Sequence, residues 1–229
     1  MNTQKQINEQ LILAAFFKDK DKIKSLINSG VDVNVKNSND ESTPLHFASM
    51  YNCTDIADLL IKHRANINAI NIHGLTPLHI ASAWDNENMV KLLIENGADV
   101  NQDYGSPLFY ACRSGNVEII NILIENGIKF STYKNPFIAA VENGNMDVIE
   151  ILIKNGFYTE ENLILSAAFS LQERNIELFE YLIEYIPDVT AEGNMLLKKA
   201  CMFGNGEVLG ELLDKIKDNI NKNKYYFKL

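Results

Sequence analysis

The tetrapeptide Thr-Pro-Leu-His occurs twice in this chain, at Thr43–His46 and again at Thr76–His79. The residues after each copy share one layout, read here on residues 71–101. Thr76 is a helix N-cap, and Pro77 fits the first helical position because the donor it lacks has no partner there anyway. Leu78, Ile80 and Ala81 give a short apolar face, which Asp85-Asn86 interrupts. Met89, Val90, Leu92, Leu93 and Ile94 then recur at helical spacing. Gly97 closes this second helix, where a left-handed residue is wanted and glycine is free of strain. Each helix is two or three turns long, and alone in water such a helix is marginal. The pair is stable only by stacking its apolar faces on further copies.

Those copies are present. Ser106-Pro107-Leu108-Phe109 and Asn135-Pro136-Phe137-Ile138 are altered versions of the motif, and the prolines at 44, 77, 107 and 136 are spaced by 33, 30 and 29 residues. Glycines at 30, 97, 127 and 156 end second helices, with Arg64 in the same place in between. The pattern of T-P-L-H-x-A, a polar break, a leucine-rich helix and G-A-D-V-N resembles the ankyrin repeat, most closely over residues 41–156. The resemblance implies an all-α solenoid of about seven stacked helix-turn-helix units with short β-hairpin fingers. It implies one array over 1–229: a capping repeat at 7–40, the best-matching repeats at 41–161, an irregular repeat at 162–193, and a capping repeat with tail at 194–229.

Taken in order, residues 1–6 are polar and expected to fray. Ile7 to Phe17 and Lys20 to Asn28 form the first pair. A finger at 31–42 leads to helices at 43–51 and 54–63, and a second finger at 65–75 to the unit at 71–101. Later connections shorten, so turns are expected there, with Asp103-Tyr104-Gly105 as one. At 162–187 the proline is missing and extra residues separate Ala168 from Asn175, which predicts a lengthened helix or a bulging turn, ended at Pro187. A last pair spans 194–220. The tail Tyr225-Tyr226-Phe227 either docks on it or projects.

Charge is uneven along the chain. Residues 41–193 carry 8 basic and 21 acidic side chains, whereas residues 1–40 carry 6 lysines and 5 acids and residues 194–229 carry 7 lysines and 4 acids. An acidic body argues against nucleic acid, whose phosphates need clustered Lys and Arg. It favours a protein partner with a basic surface. The apolar run Leu11–Phe17 is too short to span a membrane. Three cysteines, Cys53, Cys112 and Cys201, form no disulfide framework, so a reducing compartment, the cytoplasm, is expected. A secreted or translocated effector stays open, and a monomer is expected.

No catalytic, cofactor or metal site is expected. Cys53, His63, Cys112 and Cys201 lack the close spacing of zinc ligands. The resemblance gives Thr43, Pro44, His46, Thr76, Pro77, His79 and Gly97 structural roles, the histidines bonding between neighbouring loops and helices. It also raises asparaginyl hydroxylation at Asn34, Asn68 and Asn101, beside the plainer reading that these residues hold the fingers.

By resemblance, partners bind the finger tips and the ends of the first helices. Those places hold Met50, Tyr51, Ile72, His73, Leu75, Ala83, Trp84, Tyr104 and Arg113, with Tyr133 further on. Aromatics, Met and Arg are favoured in binding hot spots. The competing reading of Trp84 is that it covers a gap left by its neighbours. The chain is thus expected to be a non-catalytic protein-interaction module, an adaptor, inhibitor or effector. The alternative is a substrate-presenting subunit of an enzyme complex.

Overall fold

The computed structural model describes residues 2–102, 107–129, 134–189, 191–203 and 206–226. Among them are fourteen helices and no strand. The chain divides into two compact units, Met1–Pro136 and Phe137–Leu229.

In the first unit the helices come in pairs: α1 (Asn2–Phe16) with α2 (Lys20–Asn28), α3 (Pro44–Met50) with α4 (Thr54–Lys62), α5 (Pro77–Ala83) with α6 (Glu87–Glu95), and α7 (Pro107–Ser114) with α8 (Val117–Glu125). First helices pack in series, α1 on α3, α3 on α5 and α5 on α7, and second helices do the same from α2 to α8. Close approach of the first helices needs small side chains, and Ala48, Ala81 and Ala111 are fully buried there. The second helices contribute the bulk, with Leu60, Leu93 and Leu123 fully buried.

The two helices that start with Thr-Pro-Leu-His, α3 and α5, are capped by a histidine variant of the capping box. The His79 backbone N–H donates to Thr76 Oγ1 at 3.4 Å, and the Thr76 N–H donates back to His79 Nδ1 at 3.1 Å. At the ends of the second helices the chain turns left-handed, with Gly97 at φ 93°. Arg64 holds that conformation at φ 69° with a side chain attached.

Successive repeats are tied by three asparagines. Asn34 donates to the Arg64 carbonyl at 3.1 Å and accepts from the Asn66 N–H at 2.6 Å. Asn68 accepts from the Asp99 N–H at 2.9 Å, and Asn101 donates to Gly127 O at 3.1 Å and accepts from the Lys129 N–H at 2.7 Å. Each asparagine therefore joins its own repeat to the next, a reach longer than holding its own finger.

The described fingers are turns, a correction to the expected β-hairpins. Finger 1 is closed by Asn37 N–H to Ser42 O at 3.0 Å and finger 2 by Asn71 N–H to Leu75 O at 3.1 Å. Side chains replace the strand ladder: Asn71 Oδ1 accepts from the N–H groups of His73 and Leu75 at 3.0 and 3.1 Å. The expected turn at 103–105 lies outside the described residues. Helix α1 begins at Asn2, so residues 2–6 are helical where fraying was expected.

The second unit holds α9 (Pro136–Glu142, whose proline belongs to the first), α10 (Met146–Lys154), α11 (Glu160–Gln172), α12 (Ile176–Ile183), α13 (Ala191–Phe203) and α14 (Gly206–Tyr226). The irregular segment is a lengthened helix: α11 has 13 residues where α9 has 7. Thr159 caps it without a proline, accepting from the Asn162 N–H at 3.2 Å. It packs on α12 and α13. Tyr225 and Tyr226 form the last turn of α14.

Candidate functional site

The two described fingers and the ends of the first helices are held by backbone and side-chain bonds that leave several apolar side chains in water. Finger 2 is anchored to finger 1 through the Ile72 N–H, which donates to the Asp40 carbonyl at 2.9 Å. Asp40 is itself fixed: its carboxylate accepts from the Ser42 N–H at 3.0 Å and the Ser42 hydroxyl at 2.8 Å. Burial alone would raise this carboxyl, but those bonds hold it below the ordinary value. With its backbone pinned, the Ile72 side chain is still 56% exposed, and His73 beside it is exposed.

His46 supports the same finger from beneath. Its Nδ1 accepts from the Thr43 N–H at 3.1 Å, so Nε2 carries the proton and donates to the Leu75 carbonyl at 3.0 Å. The ring is 1% exposed, and burial lowers its pKa to about 4, leaving it neutral. It works as a strut, and nothing near it makes it a general base.

The helix ends are bound together as well. Asn86 Nδ2 donates to the carbonyls of Ser49 and Met50 at 2.7 and 3.0 Å, which holds the end of α3 beside the turn that follows α5. Trp84 is the C-cap of α5, its N–H donating to Ile80 O at 3.1 Å, and its side chain is 58% exposed. Ala83 and Arg113 are exposed; Met50 and Leu75 are half-buried. Tyr51 is half-buried too, with its ring edge-on to Phe16 at 5.7 Å and beneath Lys18 Nζ at 4.8 Å. Leu75 and Tyr51 are thus less free than their places in the repeat suggest, Tyr51 because Phe16 of α1 packs against its ring. Tyr104 and Tyr133 lie outside the described residues.

One member of this face escaped the sequence reading. Phe17, Tyr51 and Trp84 are each the residue that follows a first helix, and they lie 34 and 33 residues apart. Subtracting one repeat from Tyr51 would have found Phe17, but no Thr-Pro marks the phase of the first repeat.

Among the described residues no three His, Cys, Asp or Glu side chains converge to hold a metal ion. Burial pushes the Cys112 thiol well up, which suits a packing role. No described helix is long and apolar enough to cross a membrane.

A family model for ankyrin repeats (3 copies) matches residues 11–104 and 101–162. Over 51 residues the chain is 51% identical to Protein fem-1 homolog C of Bos taurus, and equally to the proteins of that name from Mus musculus and Homo sapiens. That stretch is 22% of this chain, and it spans 8% of each relative's length.

Proposed function

Because the chain belongs to the ankyrin repeat family, whose repeats are generally protein–protein interaction modules, we propose that it is a non-catalytic adaptor, inhibitor or effector that binds a protein through its finger tips and first-helix ends. The observation that carries this reading is Ile72 with Trp84. Both have backbones fixed by hydrogen bonds, and both keep more than half of a large apolar side chain in water. The core of these repeats is already filled by Leu45, Ala48, Leu78 and Ala81, so the fold does not require either side chain. Rigid apolar groups presented to solvent bind at low entropic cost. Met50, Tyr51, His73, Leu75, Ala83, Arg113 and, beyond the described residues, Tyr104 complete the proposed surface.

The acidic excess over residues 41–193 supports a partner with a basic rim around an apolar pocket. The test is affinity capture from the source cell, comparing the natural chain with Ile72→Ser/Trp84→Ala by quantitative mass spectrometry. Proteins retained by the first and lost with the second are the expected result. Identical captures would overturn the reading. An enzyme captured together with its substrate would favour a substrate-presenting subunit.

A further inference from the structure

A groove of about 500 Å³ opens between α1 and finger 1. Its floor is Ile12, Leu13, Phe16, Phe17 and Phe47. Three of these are unusually open for such large groups: Leu13 is 52% exposed, Phe16 43% and Phe17 71%. They sit at i, i+3 and i+4 on α1 and the residue after it, and so form one patch. Phe16 is held there by edge contacts to Phe17 at 5.2 Å and Phe47 at 5.9 Å.

The walls differ in chemistry from the floor. One lip is finger 1, at Asn37, Ser38 and Asn39. Ser38 and Asn39 are exposed, and their side chains have no hydrogen-bond partner among the described residues. The rim carries Lys5 and Lys36, with Glu9 as the one acid lining it. Lys5 has no ion pair among the described residues, and Lys36 meets Glu41 at 2.7 Å with both side chains about half exposed. An exposed pair of that kind is worth little, so Lys36 is available to an incoming carboxylate. Lys18, over the Tyr51 ring, stands at the neighbouring helix end. The lining thus holds two lysines against one acid, with Glu41 beside Lys36, on a chain of net charge −9.

We propose that this groove binds an extended peptide segment of a partner protein, with one bulky apolar side chain seated among Leu13, Phe16 and Phe17 and a flanking carboxylate on Lys5 and Lys36. The volume suits such an anchor, and an apolar floor with few polar groups is how such sites are built. Ser38 and Asn39 supply the donors and acceptors that an extended main chain requires. Charge selects the occupant: a basic segment is drawn to the acidic repeats, whereas an acidic one finds its cations here. The inference rests on the reading that this chain binds protein, and adds a second contact of opposite charge.

The test pans a random peptide library on the whole purified chain. The enriched peptides are then synthesised and titrated by fluorescence anisotropy against the natural chain, Phe17→Ala, Lys5→Glu/Lys36→Glu and Trp84→Ala, each checked for folding by circular dichroism. Enriched peptides should pair acidic residues with Leu, Phe or Trp. Phe17→Ala should weaken them by about tenfold or more, as for a buried anchor, and the double charge reversal should weaken them and flatten their salt dependence. Leu13→Ala serves if Phe17→Ala fails to fold. No enrichment, enrichment of basic peptides, or affinity unchanged by the groove variants overturns the proposal. So does binding to phosphatidylserine vesicles, lost in Phe17→Ala, without peptide enrichment, which assigns the groove to a lipid surface. Loss on Trp84→Ala with none on Phe17→Ala removes this inference and leaves the wider reading standing; the reverse supports the groove and counts against the wider surface.

Discussion

The side-chain carbonyl of Asn34 accepts a 2.6 Å hydrogen bond from the backbone N–H of Asn66, one repeat further along the chain. The same amide donates to the carbonyl of Arg64. One side chain thus satisfies a donor and an acceptor that the turn after α4 leaves over. Asn34→Ala should lower stability by about 1 kcal/mol, since part-exposed groups recover some bonding from water. That corresponds to a fall in melting temperature of about 2–4 °C for a chain of this size. A thermal melt checks it, and an unchanged midpoint would show that water replaces the amide fully.

The buried His46 ring makes stability depend on pH. Its ordinary value of 6.5 is lowered to about 4 by burial, outweighing the bond to Leu75 O. Above pH 6.5 both folded and unfolded rings are neutral, and the contribution is complete. As pH falls from 6.5 toward 4, the unfolded chain binds a proton that the folded ring does not, and stability is lost. The loss amounts to about 3 kcal/mol by linkage. Denaturant midpoints across this window should fall steeply for the natural chain and less for His46→Gln, which keeps a capping acceptor without titrating. Equal slopes would place the ring in a wetter setting than the structure shows.

Arg64 stands at φ 69° where the corresponding residue of the next repeat is Gly97. The left-handed conformation costs a residue with a side chain about 1–2 kcal/mol, and the extra freedom of an unfolded glycine offsets about 0.4–1 kcal/mol of that. Arg64→Gly should therefore raise the melting temperature by a degree or more while leaving the Asn34 bond to its carbonyl in place. A lower midpoint would mean that the Arg64 side chain contributes more than its backbone costs.

Ala81 is fully buried where α5 packs between α3 and α7. Ala81→Leu should destabilise by about 1–3 kcal/mol through overpacking. Melting at the natural temperature would contradict the close packing of the first helices.

What the sequence made legible was local. Proline-started helices, the left-handed Arg64 and the long α11 each arise from a residue and its immediate neighbours. The Asn34 partners did not, because the residues it bonds lie 30 and 32 positions away and are bound through backbone atoms, which any residue type supplies. The resemblance implies hairpin fingers, but single backbone bonds reinforced by the Asn71 and Asp40 side chains close them instead of a ladder. Tyr51 read as exposed because its partner, Phe16, belongs to a repeat without the Thr-Pro marker. The same gap hid Phe17 and the groove beside it.

We propose that Trp84 faces a partner and does not serve the core. The most direct measurement titrates a captured partner against the natural chain and Trp84→Ala, with melting temperature recorded for both and Glu160→Ala as the control. A central aromatic anchor is worth about 2–4 kcal/mol, so Trp84→Ala should bind some 30-fold or more weakly while melting within a few degrees of the natural chain, and Glu160→Ala should change neither. A Trp84→Ala chain that unfolds, yet binds as tightly per folded molecule, would contradict the account and place the site elsewhere.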